Sequence, residues 1–153
     1  MRAIIALFVA SSMALASRAQ AADEDDLYFI GRVGTRVTQS AELMSGASAG
    51  FCPMNDVGVG VSFDQIVALA DSAKPAEGSL LMAEGRWFLE PFEVAVGAGA
   101  FWGVGKTYFT MATTGAYLLA LTPSLAARAD LNVLFRVTQS PAFFALLGVR
   151  VLF

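Results

Sequence analysis

The stretch Leu125-Ala126-Ala127-Arg128-Ala129-Asp130-Leu131-Asn132-Val133-Leu134-Phe135-Arg136-Val137 decides the fold. Every odd-numbered position in it is apolar, from Leu125 through Leu131 to Val137, whereas Arg128, Asp130, Asn132 and Arg136 all fall on even-numbered positions beside Ala126 and Leu134. Neighbouring residues of a strand point to opposite faces, so this is a strand with one apolar and one polar face. A helix, with its 3.6-residue period, would mix the two sets. The next segment repeats the pattern, with Phe143, Ala145, Leu147, Val149, Val151 and Phe153 opposite Phe144, Leu146, Gly148, Arg150 and Leu152.

Working outward from this pair, six further segments of similar length carry the alternation. They run from Leu27 to Val37, Ala41 to Phe51, Val57 to Ala68, Ser79 to Leu89, Phe92 to Trp102 and Tyr108 to Leu121. Turn-forming residues separate them: Thr38-Gln39-Ser40, Cys52 to Asp56, Asp71 to Gly78, Glu90-Pro91, Gly103 to Lys106, Thr122-Pro123-Ser124 and Thr138 to Pro141. With 56% hydrophobic residues, 15% charged residues and a mean hydropathy of +0.61, the chain is too apolar for an ordinary soluble domain. Hydrocarbon admits only helices and closed barrels, and a barrel strand needs about ten alternating residues where a helix needs about twenty apolar ones. The alternation predicts an all-β fold: an eight-stranded antiparallel up-and-down transmembrane β-barrel over residues 27–153.

The start of the chain reads differently. Met1-Arg2, the apolar stretch Ala3 to Ala16 and the small-x-small sequence Ala19-Gln20-Ala21 have the anatomy of a secretory signal peptide over residues 1–21. Cleavage after Ala21 would remove Arg2 and Arg18, leaving thirteen acidic against eight basic residues and a net charge of −5. Residues 22–26, with Asp23, Glu24, Asp25 and Asp26, then read as an acidic, solvated periplasmic tail. No basic surface for nucleic acid remains. Cys52, the single cysteine, allows no internal disulfide and reads as a passive turn residue whose role the sequence leaves open.

Catalytic chemistry is poorly served. The chain has no histidine, which removes Ser-His-Asp triads, histidine metal sites and histidine-dependent lipid modification. Gly46-Ala47-Ser48-Ala49-Gly50 matches a nucleophile elbow, but it lies on a strand and no base is available. Gly99 to Thr107 resembles a phosphate loop with one residue too many and with aromatic bulk where the backbone should approach phosphate. Neither an enzymatic activity nor a cofactor is expected.

The chemistry that remains lies inside the barrel. Strand parity turns Arg32, Arg36, Arg86, Arg128, Arg136 and Arg150 inward together with Glu42, Asp64, Glu84, Glu93 and Asp130. If the hairpins close symmetrically about their turns, Arg36 faces Glu42, Asp130 faces Arg150, and closure brings Arg32 beside Arg150. This charge network is either a narrow ion path or a plug. The interior of an eight-stranded barrel is only wide enough for side chains, which favours the plug. Aromatic residues cluster at both strand ends, with Tyr28, Phe29, Phe51, Trp87, Phe88, Phe92 and Phe153 at one and Phe101, Trp102, Tyr108, Phe109, Phe135, Phe143 and Phe144 at the other, as interfacial girdles would. Arg36-Val37-Thr38-Gln39-Ser40 recurs as Arg136-Val137-Thr138-Gln139-Ser140, at turns that closure would make neighbours.

With its signal peptide, eight alternating strands, short turns and the terminal Leu147-Gly148-Val149-Arg150-Val151-Leu152-Phe153, the chain resembles the small outer-membrane barrels typified by the transmembrane domain of OmpA and by OmpX. The resemblance implies a non-enzymatic, monomeric envelope protein in contact with outer-membrane lipid. It also implies that Phe153 is a signal to the barrel-assembly machinery. The alternative architectures are a soluble lipocalin-like barrel with an apolar ligand cavity, which would turn its apolar faces inward, and a helical membrane protein built on Val94 to Leu121, which Gly97, Gly99, Gly103, Gly105 and Lys106 interrupt.

Overall fold

The computed structural model describes residues 22–23, 25–37, 42–69, 77–103, 105–136 and 140–153. The expected signal peptide and the turn residues 38–40 and 71–76 lie outside the described residues, as do 138 and 139 of the last outward turn. Eight strands follow one another: β1 (Leu27–Arg36), β2 (Glu42–Met54), β3 (Val57–Ala68), β4 (Gly78–Leu89), β5 (Phe92–Gly103), β6 (Lys106–Thr122), β7 (Leu125–Arg136) and β8 (Ala142–Leu152). Each pairs antiparallel with the next, and β1 pairs with β8 to close the barrel. Closure satisfies the backbone of every strand, the condition for a sheet in hydrocarbon. The strands have 10 to 17 residues, enough to span a bilayer when tilted. Among the described residues no helix is long and apolar enough to cross a membrane, and Val94 to Leu121 forms parts of β5 and β6.

Two-residue turns, Asn55-Asp56, Glu90-Pro91 and Pro123-Ser124, lie at the end of the barrel that also holds Leu27 and Phe153. Asp56 adopts φ 60°, a conformation that short-side-chain Asp and Asn tolerate in tight turns. This end is the base, and the opposite end is the mouth. At the base, Leu27 N donates to Phe153 O (3.2 Å) and Phe153 N to Leu27 O (2.9 Å), sealing the first strand to the last.

Three expectations need correction. First, β2 continues through Cys52-Pro53-Met54, so Cys52 is a fully buried strand residue and not a turn residue. Proline has no N–H for a ladder, and the register shifts between Phe51 and Met54 to accommodate Pro53 as a bulge.

Second, Ala22, Asp25 and Asp26 bond to the barrel base. Asp25 N donates to Cys52 O (2.8 Å), Cys52 N to Asp26 O (2.9 Å) and Asp56 N to Ala22 O (2.9 Å). These bonds carry the chain on from the end of the β1–β2 ladder, burying Ala22 while Asp23 and Asp25 stay in water.

Third, the β7–β8 hairpin does not close symmetrically about Thr138 to Pro141. Leu134 pairs with Ala142, which places Asp130 opposite Leu146 and Arg150 opposite Ala126. The slip is even in number, so every side chain keeps its face and only its cross-strand partner changes.

Candidate functional site

The barrel is inside-out with respect to a soluble protein. Among the described residues twenty-eight large apolar side chains are exposed, with Leu131, Leu147 (68%), Val149 and Phe135 on the outer wall. Arg86, Arg128, Asp64, Glu84 and Glu93 are buried in its lumen. A soluble barrel with an apolar cavity requires the reverse, because so continuous an apolar surface in water would drive aggregation. All eleven charged residues assigned to the interior by alternation do face inward, with Arg36 alone partly exposed.

The lumen is layered. At the base, Tyr28, Ile30, Cys52, Phe88, Leu152 and Ala22 form an apolar cluster, with the Tyr28 and Phe88 rings edge-to-face at 5.7 Å. Towards the mouth, Met44, Ile66, Leu80, Met82, Phe101, Ala112, Leu134, Ala142, Phe144 and Leu146 form a second. Parity had placed the charges but not these clusters. Tyr28, Phe88, Phe101 and Phe144, read as girdle residues, are lumen residues instead, because each falls on the inward parity of its strand. Phe29, Phe51, Trp87, Phe92 and Phe153 near the base, and Trp102, Phe109, Phe135 and Phe143 near the mouth, face outward.

Between the apolar clusters lie four arginines and four carboxylates, so the central layer is electrically neutral. Arg32 binds Asp64 through two parallel bonds, Nε to Oδ1 at 2.9 Å and Nη2 to Oδ2 at 2.7 Å. They sit on β1 and β3, on either side of Gly46 of β2, which is register partner to both. A Cβ at Gly46 would collide with the Asp64 carboxylate, so the pair exists because the strand between them has no side chain there. Glu93 is the hub of the layer: it pairs with Arg86, with Arg128 at 3.0 Å and with Arg150 at 3.6 Å. Arg86 also holds Glu84 at 2.6 Å, donates to Ser48 Oγ at 3.3 Å and stacks on Tyr28. Ser48, the centre of the apparent nucleophile elbow, is thus a hydrogen-bond acceptor inside the plug.

The pairings differ from those expected of closest strand neighbours. Asp130 pairs with Arg128 of its own strand at 2.7 Å, not with Arg150. Arg150 reaches across the lumen to Glu93 and to Glu90 of a base turn, and it is not joined to Asp130. Arg32 engages Asp64, and β1 presents Ile30 to Arg150. Only Arg36 and Glu42 meet as the hairpin predicts, at 2.9 Å. At the base turn, partial burial raises the Glu90 carboxyl above its ordinary range while Arg150 pulls it the other way. Beyond the mouth-side apolar cluster stand Arg36, Glu42 and Arg136, at the ends of their strands. Among the described residues no group of His, Cys, Asp and Glu could hold a metal ion.

No protein-family model matches the chain, and no curated protein matches it. Solved structures do. The fold is similar to the N-terminal β-barrel domain of Pseudomonas aeruginosa OprF, with 15% identity and a TM-score of 0.66 over 88% of this chain and 100% of that one. It is also similar to a de novo designed transmembrane β-barrel (14% identity, TM-score 0.55, 88% and 100%). Neisserial surface protein A matches at 14% identity and a TM-score of 0.54, over 82% of this chain and 94% of that one. An apolar outer wall, a charged and packed interior and these likenesses agree: the chain has the fold of the small eight-stranded transmembrane β-barrels.

Proposed function

We propose that the chain is a non-enzymatic, monomeric barrel of the bacterial outer membrane, with a structural role in the envelope and at most slight ion conductance. One observation carries this reading: a neutral layer of ion pairs held between two apolar layers inside the barrel. An ion crossing the lumen would have to part Glu93 from its arginines and then pass the packed Phe88 or Phe144 layer. The outer-membrane assignment is supported by the closed barrel itself, the form in which bacterial outer-membrane proteins cross lipid, and by likeness to an OprF domain and a neisserial surface protein. It further requires export by residues 1–21. Phe153, 73% exposed on the outer wall, is the residue the barrel-assembly machinery would read.

Planar-bilayer recording of the purified protein tests the reading. A closed lumen gives a silent or rarely flickering trace, whereas sustained, ohmic channels would sink the structural role and establish a pore.

A further inference from the structure

Among the described residues one buried cation of the lumen makes no ion pair. Arg136, the last residue of β7, is only 8% exposed, and its guanidinium carbon lies 5.3 Å from the centre of the Phe101 ring. Among the described residues it makes no ion pair or hydrogen bond, and its Nε is buried without a partner. Its charged neighbours are Arg36 and Glu42, and Arg36 already holds Glu42 at 2.9 Å. Among the described residues Arg136 makes no ion pair, whereas every arginine of the central layer reaches an acid. Burying a cation is tolerable when an anion accompanies it, and the nearest acid, Glu42, is already engaged by Arg36.

The recurring pentapeptide gains a physical meaning here. Its two copies begin with Arg36 and Arg136, and these arginines end β1 and β7, the strands that flank β8. The same short sequence thus delivers two cations to one side of the mouth. The geometry points to a seat for a phosphate-type oxyanion, made by the Arg136 guanidinium with Arg36 beside it. A planar guanidinium presents paired N–H donors that match such an anion, and stacking on Phe101 fixes its plane. Outward-facing Trp102 and Phe109 mark this level of the barrel as the bilayer interface, the depth of lipid headgroups. The anion could come from a lipid phosphate or from phosphate in solution, and the seat goes beyond the closed-plug reading, since a pore would carry it equally well.

The test uses the full purified protein, isotope-labelled at arginine, in uncharged maltoside micelles. The Nε–H resonances of Arg36 and Arg136 are followed by NMR as inorganic phosphate replaces chloride at constant ionic strength. A parallel series adds phosphatidylglycerol, with an uncharged galactolipid as control. The seat predicts a saturable shift of both resonances in at least one phosphate series. Saturation with inorganic phosphate alone assigns the solution anion, and saturation only with phosphatidylglycerol assigns the headgroup. Arg136→Lys, read at Arg36, should weaken binding roughly tenfold, the factor corresponding to about 1.4 kcal/mol, the scale of one charge-assisted hydrogen bond. Glu42→Gln, which removes the competing carboxylate, should tighten it. No saturable shift in either series, an equal shift with galactolipid, or unchanged affinity in Arg136→Lys would overturn the proposal.

Discussion

Replacing Glu93 by glutamine keeps the shape of the side chain and deletes the charge on which three arginines converge. Afterwards Arg86 retains Glu84 at 2.6 Å and Arg128 retains Asp130 at 2.7 Å, but Arg150 is left with Glu90 alone, at 3.6 Å and partly in water. Four cations of the central layer then face three carboxylates between two apolar clusters. Breaking a buried pair by removing one partner costs about 3–5 kcal/mol, and the remaining partners of Arg86 and Arg128 place Glu93→Gln towards the lower end of that range. Arg150→Met added to Glu93→Gln restores neutrality with an apolar side chain of similar length, so the double variant should be more stable than Glu93→Gln alone, with a coupling of about 1–3 kcal/mol. Asp130→Asn leaves Arg128 with Glu93 and should cost less than Glu93→Gln. The assay is equilibrium urea unfolding in lipid vesicles, followed by tryptophan fluorescence. A loss under about 1 kcal/mol at Glu93 with no coupling to Arg150 would refute the reasoning, because that is how solvated ion pairs behave.

Other consequences are equally direct. Leu131→Arg, on the outer wall halfway along β7, should lose about 2–4 kcal/mol of stability in bilayers, while Asn132→Ser next to it should lose only about 1 kcal/mol with its bond to Thr114; equal losses would mean the parity is wrong. Gly46→Ala should destabilise the barrel by about 1–3 kcal/mol by forcing Asp64 away from Arg32, and arginine NMR should show the Arg32 Nε–H released from its carboxylate; an unmoved resonance contradicts the bridge over Gly46. Cys52 should resist a water-soluble maleimide in the folded protein and become reactive when residues 22–26 are deleted; immediate labelling of the intact chain would show that the segment is not docked.

Alternation made most of the fold legible. Side-chain period in a strand is two, so an apolar-polar run such as Leu125 to Val137 fixes both the element and the face of each residue, and the lumen charges followed from it. Pairing was less accessible. Parity says that Asp130 and Arg150 both point inward, but the register that sets them apart depends on how the β7–β8 turn folds, and an even slip leaves no trace in the alternation. Glycines carried a signal that alternation alone does not use: inward-facing Gly46 between Arg32 and Asp64, and Gly60 and Gly97 on either side of Glu84, mark where long charged side chains lie across their neighbours. The apolar layers were hidden because Tyr28 and Phe144 at strand ends have the composition of interfacial girdles, and only parity separates ring-in from ring-out. Docking of Ala22, Asp25 and Asp26 rests on backbone groups of Cys52 and Asp56, a tertiary complement that four acidic side chains in a row disguise.

Solid-state NMR of the native protein in vesicles tests most directly whether the outer wall lies in lipid around an ion-paired interior closed to water. Magnetisation is transferred to side chains from lipid acyl protons in one experiment and from water in another. Acyl transfer should reach Leu131, Phe135, Leu147 and Val149, water transfer should reach Arg36 at the mouth, and neither should reach Arg86, Arg128 or Asn132. Water transfer continuing along the lumen through Arg86 and Arg128, or acyl transfer that ignores the alternation along β7, would contradict this arrangement.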